Sequence, residues 1–289
     1  MRFAAIYRDW SNREQQDLAT VKIAVALNSH LISEHAALYA LRYAQSLGLG
    51  VELLHVKNPD DPLKEVQERV ARLQIEAGKL GLILSFRQLE GKPGPSLVKQ
   101  IQSHFYHTVF CSTRAHPPRL FTNSVSQYLV KSRLPSQLVV VRINRVNSVY
   151  HCQRLGIFGG RGQPDVHQMA LGIGLAAGYQ AEILLGNPLE ISRRALQHLD
   201  FQQTREVLRA SDHGFRSLIT LCQLGRVSAS VAHIPRGEDA LDFFLSRKIS
   251  LLVLSSRKLP HPTRHLMSDP VENLFHLSPV NCMILYPKV

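Results

Sequence analysis

The sequence has 289 residues, 45% of them apolar and 19% charged, with a net charge of +12. That length suits two units of roughly 140 residues, each large enough to bury a core, and the composition is that of soluble globular protein. It excludes a membrane-spanning chain, because no apolar run approaches the roughly 18 residues a bilayer requires.

The first 20 residues read as a polar N-terminal arm. Arg8, Asp9, Arg13 and Glu14 interrupt its apolar residues, so it lacks the continuous apolar region of a signal peptide. The expected location is cytoplasmic. VKIAVAL (21–27) then reads as a buried parallel strand, followed by the loop Asn28-Ser29-His30. A helix follows, with Ser33 as its N-cap and Gly48 as its stop. VELLHV (51–56) is a second strand. The next helix has Pro62 near its start and Val66, Val70, Leu73 and Ala77 on one stripe. A strand at 82–89 and a short helix at 95–104 come next. An apolar run from His107, a basic loop, a helix opening at Asn123–Ser124 and an apolar run from Leu138 to Ile143 complete this half. Strands alternating with helices predict an α/β fold, a mainly parallel five-stranded sheet with helices on both faces.

After a linker at 144–153 the order restarts. The second half has strands at RLGIFGG, AEILLG, VSASVAHI and LLVLSS, a long helical region from about Leu189 to Leu224, and a closing loop, helix and strand. His116-Pro117-Pro118-Arg119 falls on His261-Pro262-Thr263-Arg264, an offset of 261 − 116 = 145, and Val141 falls on Tyr286 at the same offset. The halves begin at Val21 and Arg154, offset by 154 − 21 = 133, so the second copy is longer, mainly in its middle helix. An internal duplication of this period is too long for a solenoid repeat. The domains read as 21–143 and 154–289.

Between Glu90 and Asp165 there is no Asp or Glu, while ten basic residues fall there: Lys92, Lys99, Arg114, Arg119, Lys131, Arg133, Arg142, Arg145, Arg154 and Arg161. A surface of one sign attracts anions and acidic partners, less so at high salt. Nucleic acid, an acidic protein, an anionic membrane face and a small anion all fit that charge. Few aromatics interleave it, and no helix-turn-helix or zinc-finger pattern accompanies it. Cys111, Cys152, Cys222 and Cys282 lie far apart with no C-x-x-C pair, which favours buried thiols over a metal or disulfide. The pairs His104/His107 and His261/His265 have no cysteine or carboxylate cluster beside them, so no metal site is predicted. No catalytic constellation can be assigned from spacing, and the chain does not read as an enzyme.

VKIAVALNSHLISEHAALYALRYAQSLGLGVELLHV resembles the opening of a universal stress protein domain, and TRAHPPRLFTNSVSQYLVKSRLPSQLVVVRI its close. SSRKLPHPTRHLMSDPVENLFHLSPVNCMILY resembles that close again. The resemblance covers nearly all of 21–289. It implies a tandem protein of two Rossmann-like domains packed as a pseudo-dimer, with the closing strands Leu138–Val141 and Met283–Tyr286 meeting across a pseudo-twofold. It also implies a regulatory or stress-protective role by binding, and homo-oligomers through those strands.

Nucleotide-binding members of that family carry an Asp after the first strand. They also carry Gly-x-x-Gly, nine residues, then Gly-Ser/Thr after the fourth. Here the Asp position holds Asn28 in the first half, and the second half reads Gly159-Gly160-Arg161-Gly162 instead. The glycine positions of the second half hold Ser255, Lys258 and Ser268; the third in the first half holds Asn123. The family's basic residue is retained as Arg119 and Arg264. A side chain in place of glycine fills phosphate space and restricts the backbone. Asp269 at a helix start would repel phosphate. Both sites therefore read as degenerate, with no ATP or other cofactor expected. In the first half, Asn28, Arg114, His116 and Arg119, with Asn123–Ser124, could form one altered site that holds a smaller anion or still senses a nucleotide. The alternative is that His-Pro-x-Arg is a proline-stiffened surface loop. In the second half, Gly159-Gly160-Arg161 fits either an oxyanion cradle or a tight turn, the latter favoured because no Lys-Ser/Thr follows. His261 repeats His116.

Overall fold

The computed structural model describes residues 21–58, 61–113, 124–160, 163–256 and 270–288. The first half contains β1 (Lys22–Ala26), α1 (Leu31–Leu47), β2 (Gly50–Val56), α2 (Leu63–Lys79), β3 (Leu84–Leu89), α3 (Pro93–Ser103), β4 (Tyr106–Thr113), α4 (Val125–Lys131) and β5 (Gln137–Arg142). A one-turn helix α5 (Asn147–Tyr150) leads to β6 (Arg154–Phe158), α6 (Val166–Tyr179) and β7 (Glu182–Ser192). Then come α7 (Arg193–Gln197), α8 (Phe201–Asp212), α9 (Phe215–Leu224), β8 (Ala229–Arg236), α10 (Ala240–Ser246), β9 (Leu251–Ser255), α11 (Pro270–Leu277) and β10 (Asn281–Tyr286).

The strands form one ten-stranded sheet in the order β3-β2-β1-β4-β5-β10-β9-β6-β7-β8. The order is a palindrome: 3-2-1-4-5 is followed by its own reverse in the second half. Every neighbouring pair is parallel except the central one, where β10 runs antiparallel to β5. Val140 faces Ile284 and Val139 faces Leu285 in that ladder. Adding 145 to Val140 gives Leu285, and subtracting 145 from Ile284 gives Val139. The repeat offset in the sequence thus carries one pair onto the other, and the pseudo-twofold axis passes between them.

Alternation along the strands divides the core. Ile23, Val25, Val139, Val141, Met283 and Leu285 join the cluster beneath α1, α2, α5, α6 and α9. Ala24, Leu138, Val140, Cys282 and Ile284 join the cluster beneath α3, α4, α10 and α11. Strands buried on both faces explain why these runs are almost continuously apolar.

On the first face α6 packs directly against α1. A Cβ at Gly178 would stand 2.3 Å from the carbonyl oxygen of Arg42, and one at Gly174 would stand 2.5 Å from Cε2 of Tyr43. Only glycine permits this approach. The segment 144–153 is not a bare linker, since it forms α5 and is tied to the seam. Asn281, fully buried, accepts from the backbone N–H groups of Asn144 and Arg145 at 2.7 Å each. It donates to Tyr39 Oη at 2.9 Å and to the carbonyl of Arg145 at 2.8 Å. All hydrogen-bonding capacity of this buried amide facing the seam is used, as its burial demands.

Two expectations need correction. Ser33 is not the N-cap of α1, which begins two residues earlier after His30; the Ser33 hydroxyl instead bonds the carbonyls of His30 and Asn28. The region 189–224 is not one long helix. β7 continues to Ser192, and three helices follow because Ser192 and Asp200 cap new starts and His213-Gly214 separates α8 from α9.

Candidate functional site

In an open parallel sheet the crevice for a ligand lies beyond the carboxyl ends of the strands where the winding reverses. The palindrome has two such points, between β1 and β4 and between β6 and β9.

At the first, the loop after β1 is bound to the protein itself. Asn28 Oδ1 accepts from the N–H of His30 at 3.0 Å, a local turn, and the Asn28 N–H donates to Ser33 Oγ at 3.2 Å. The N–H of Ser29 donates to Asp61 Oδ1 at 2.7 Å, so a carboxylate of the chain already satisfies this amide. Arg69 donates to the Ser29 carbonyl at 2.6 Å and to Glu34 at 2.6 Å, and Arg72 grips the same Glu34 at 2.8 and 2.9 Å. Burial pushes the Glu34 carboxyl up, but hydrogen bonds and charge from Arg72 and Arg69 outweigh it and hold the group below its usual value. Buried His55 places Nδ1 3.2 Å from the Leu27 carbonyl and 3.6 Å from Asp61 Oδ2. Ser124 caps α4, accepting from the N–H of Gln127 at 3.2 Å. Arg114, His116, Arg119 and Asn123 lie outside the described residues.

At the second crevice Asp165 is the central group. It caps α6 by accepting from the Gln168 N–H at 2.8 Å, and its other oxygen accepts from Ser255 Oγ, at the end of β9, at 2.6 Å. Fully buried Gln168 donates to the carbonyls of Phe158 and Val253, at 2.9 Å each, and so staples β6 to β9. Gly160 has φ +71, a left-handed conformation that favours glycine. Ser255, read as a lost glycine position, is thus a partner of Asp165. An acid is absent directly after β6, yet Asp165 brings one to the crevice from the start of α6. Arg161, Lys258, His261, Arg264, Ser268 and Asp269 lie outside the described residues.

Asp61, Glu34, Arg69, Arg72 and Asp165 were not singled out from the sequence. The D-x-x-Q spacing of Asp165 and Gln168 is an N-cap signal that could have marked the last of these. The others meet only in space.

The remaining candidates disperse. The acid-free stretch is not one continuous face. Buried Arg142 donates to the carbonyls of Phe275 and Ser278 at 2.9 and 2.8 Å, and Arg154 pairs with Glu182 and with the Arg247 carbonyl. Lys92, Lys99, Lys131 and Arg133 are exposed. All four cysteines are free and buried, and burial pushes each thiol up to about 12, which leaves them unreactive. Among the described residues no three His, Cys, Asp or Glu side chains converge as a metal site, and no helix is long and apolar enough to cross a membrane. The closing strands are not available to a second copy: β5 lies between β4 and β10, and β10 between β5 and β9, so both edges of each are used within the chain.

Neither a family model nor a curated protein matches the sequence. Solved structures do match. A universal stress protein from Archaeoglobus fulgidus DSM 4304 superposes with a TM-score of 0.59 at 13% identity, over 92% of this chain and 96% of that one. A functionally unknown protein from Pseudomonas aeruginosa PAO1 gives 0.57 at 12% identity, over 93% and 94%. The fold is that of a tandem universal stress protein. The same arrangement recurs in the cytoplasmic domain of a prokaryotic cation chloride cotransporter, with a TM-score of 0.54 at 11% identity over 92% of this chain and 95% of that one. The tandem universal stress protein fold accounts for the palindromic sheet and the antiparallel seam. At these identities it carries over no ligand.

Proposed function

We propose that the chain is a non-catalytic, cytoplasmic binding module with a regulatory or stress-protective role, and that neither crevice takes ATP. The observation that carries this is the chain's own carboxylate at each crevice: Asp61 on the Ser29 amide, and Asp165 bridging the start of α6 to Ser255. A triphosphate entering either crevice would meet a like charge and would have to displace hydrogen bonds already made. The test is a thermal-shift and calorimetric titration with ATP and AMP, with and without magnesium. Ligand at a hundred times its dissociation constant stabilises a fold by about 2.7 kcal/mol, so a real site is visible. A flat response at millimolar nucleotide is expected, and a saturable shift would overturn the proposal.

A second reading rests on the exposed Lys92, Lys99, Lys131 and Arg133 around α3 and α4, which contain no acidic residue. They suit an acidic partner held by charge. Binding to an acidic polypeptide or to nucleic acid at low salt, falling steeply as salt rises, would support it.

A further inference from the structure

The second half departs from the first where α7, α8 and α9 replace the single helix α2. In the first half, α2 lays Val66, Val70 and Leu73 flat on the sheet, all buried. In the second, α8 buries none of its residues, although Val207, Ala210 and Ser211 follow the i, i+3, i+4 spacing of one inward face. Beside them opens a cavity of about 640 Å³, open to solvent on one side and bounded by α8, Phe215 of α9 and the end of β7 (Pro188, Leu189, Ile191).

Polar bonds cap the roof at its start and anchor it to the sheet at its end. At the start of α8, Asp200 and Gln203 form a reciprocal capping box. At its end, Asn187 Nδ2 contacts the Ser211 carbonyl, Ser211 Oγ and Asp212 Oδ1 at 3.2 Å each, and His233 Nε2 stands 2.8 Å from Asp212 Oδ1. At the α8–α9 elbow, a Cβ on Gly214 would overlap Gln163, so Gln163 reaches this point and closes one side. A helix of this length gains most of its stability from a packed apolar face. Here that face meets the cavity rather than the core.

The polar groups set the chemistry. A carbonyl and a carboxylate can only accept, so their contacts fix the Asn187 amide with nitrogen toward α8. Asn187 lines the cavity and is 4% exposed; its bonds to α8 all run from Nδ2, which leaves Oδ1 as the acceptor of the amide. Exposed Glu190 adds a second acceptor on the wall. From these features we infer that the cavity under α8 binds a small, largely apolar molecule carrying one hydrogen-bond donor, a hydroxyl or an amine. Its volume falls in the range of small-molecule sites in general. The acceptors disfavour anions, which separates this site from a phosphate crevice.

The experiment uses the full chain and the fluorescent probe N-phenyl-1-naphthylamine, an apolar body with one N–H donor. Saturable, blue-shifted emission is expected. Ala210→Trp, which fills the cavity from the roof, should weaken binding at least about tenfold, a loss of roughly 1.4 kcal/mol, while the melting temperature holds. Val207→Phe gives a second filling variant should the first disturb α8. Naphthylamine should displace the probe about fivefold more effectively than naphthalene, the worth of one hydrogen bond. Absence of saturable binding, or unaltered binding in both filled variants, would overturn the inference and leave the ATP proposal standing. Equal competition by naphthylamine and naphthalene would overturn the donor requirement. Displacement of the probe by ATP would overturn the preference of the cavity for uncharged donors.

Discussion

Replacing Asn281 by Leu tests whether the polar clamp at the seam stabilises the two halves as the geometry implies. The substitution keeps the volume roughly constant but removes the acceptor for the N–H groups of Asn144 and Arg145 and the donor to the Arg145 carbonyl. Tyr39 retains its bond to the Ser148 carbonyl at 3.3 Å. A buried group left without its partner costs about 1–3 kcal/mol. Arg145 is exposed, so water recovers part of that at its backbone, and the net expectation is about 2–4 kcal/mol. With an unfolding entropy of roughly 2.1 cal/mol/K per residue, this chain loses about 0.6 kcal/mol per degree at its midpoint. The melting temperature should fall by roughly 3–7 °C. Hydrogen exchange should accelerate at Asn144 and Arg145 more than at β1 or β9, because the loss is local to 144–153. A shift below about 1 °C with unchanged exchange would refute the clamp, since two backbone donors would then have proved indifferent to their acceptor.

Three further outcomes follow from the same geometry. Gly178→Val sets a side chain against the backbone of Arg42 and should destabilise by about 1–3 kcal/mol. Gly78→Ala, where an added Cβ meets nothing within 4 Å, should stabilise by about 0.5–1 kcal/mol; thermal unfolding of both variants checks the contrast. Glu34 has a folded value below its unfolded one, so its contribution is complete above about pH 4.5 and is lost as pH falls through the lowered folded value. The gap in urea midpoint between wild type and Glu34→Gln should therefore be widest near neutrality and close in acid, and a gap independent of pH would count against the ion-pair account. Ile284→Asp and Leu138→Asp each bury a carboxylate in the seam and should abolish the folded state, read as loss of soluble protein or of a cooperative transition. An unchanged melting temperature in both would argue against the seam.

What the sequence revealed, and what it hid, divides along one physical line. The parallel, doubly covered sheet was legible because an apolar run of the right length needs two covered faces; the seam was implied by the family resemblance, and the strand order came only from the structure. Asn28 and Ser255 were legible as side chains at positions where the family resemblance places Asp and glycine. Occupation of the crevices was not. Asp61 reaches Ser29 across 61 − 29 = 32 residues, and Asp165 reaches Ser255 across 255 − 165 = 90, so no local pattern connects them. The break of 189–224 into three helices was available in principle from Ser192, from the Asp200–Gln203 box and from Gly214. The apolar period alone concealed it, since helical spacing persists through α8 and α9.

The seam also explains why the halves pair with each other rather than with second copies of themselves. Its backbone ladder is symmetric, but its polar side chains are not. Arg142, on the first half, reaches the last carbonyls of α11; its counterpart at 142 + 145 = 287 is Pro287, which has no such group. Asn281, on the second half, holds Asn144 and Arg145; its counterpart at 281 − 145 = 136 is Ser136, which donates instead to the Tyr106 carbonyl within its own half at 2.7 Å. A pair of first halves would keep two copies of Arg142 and lack the Asn281 clamp, whereas a pair of second halves would lack Arg142. Only the mixed pair satisfies both, so the asymmetry makes the duplicated chain specific for its own tandem arrangement. With the halves fixed in this way, the second was free to exchange a flat helix for the three that roof the cavity, since that change lies at the far side of its sheet from the seam, beyond β9 and β6.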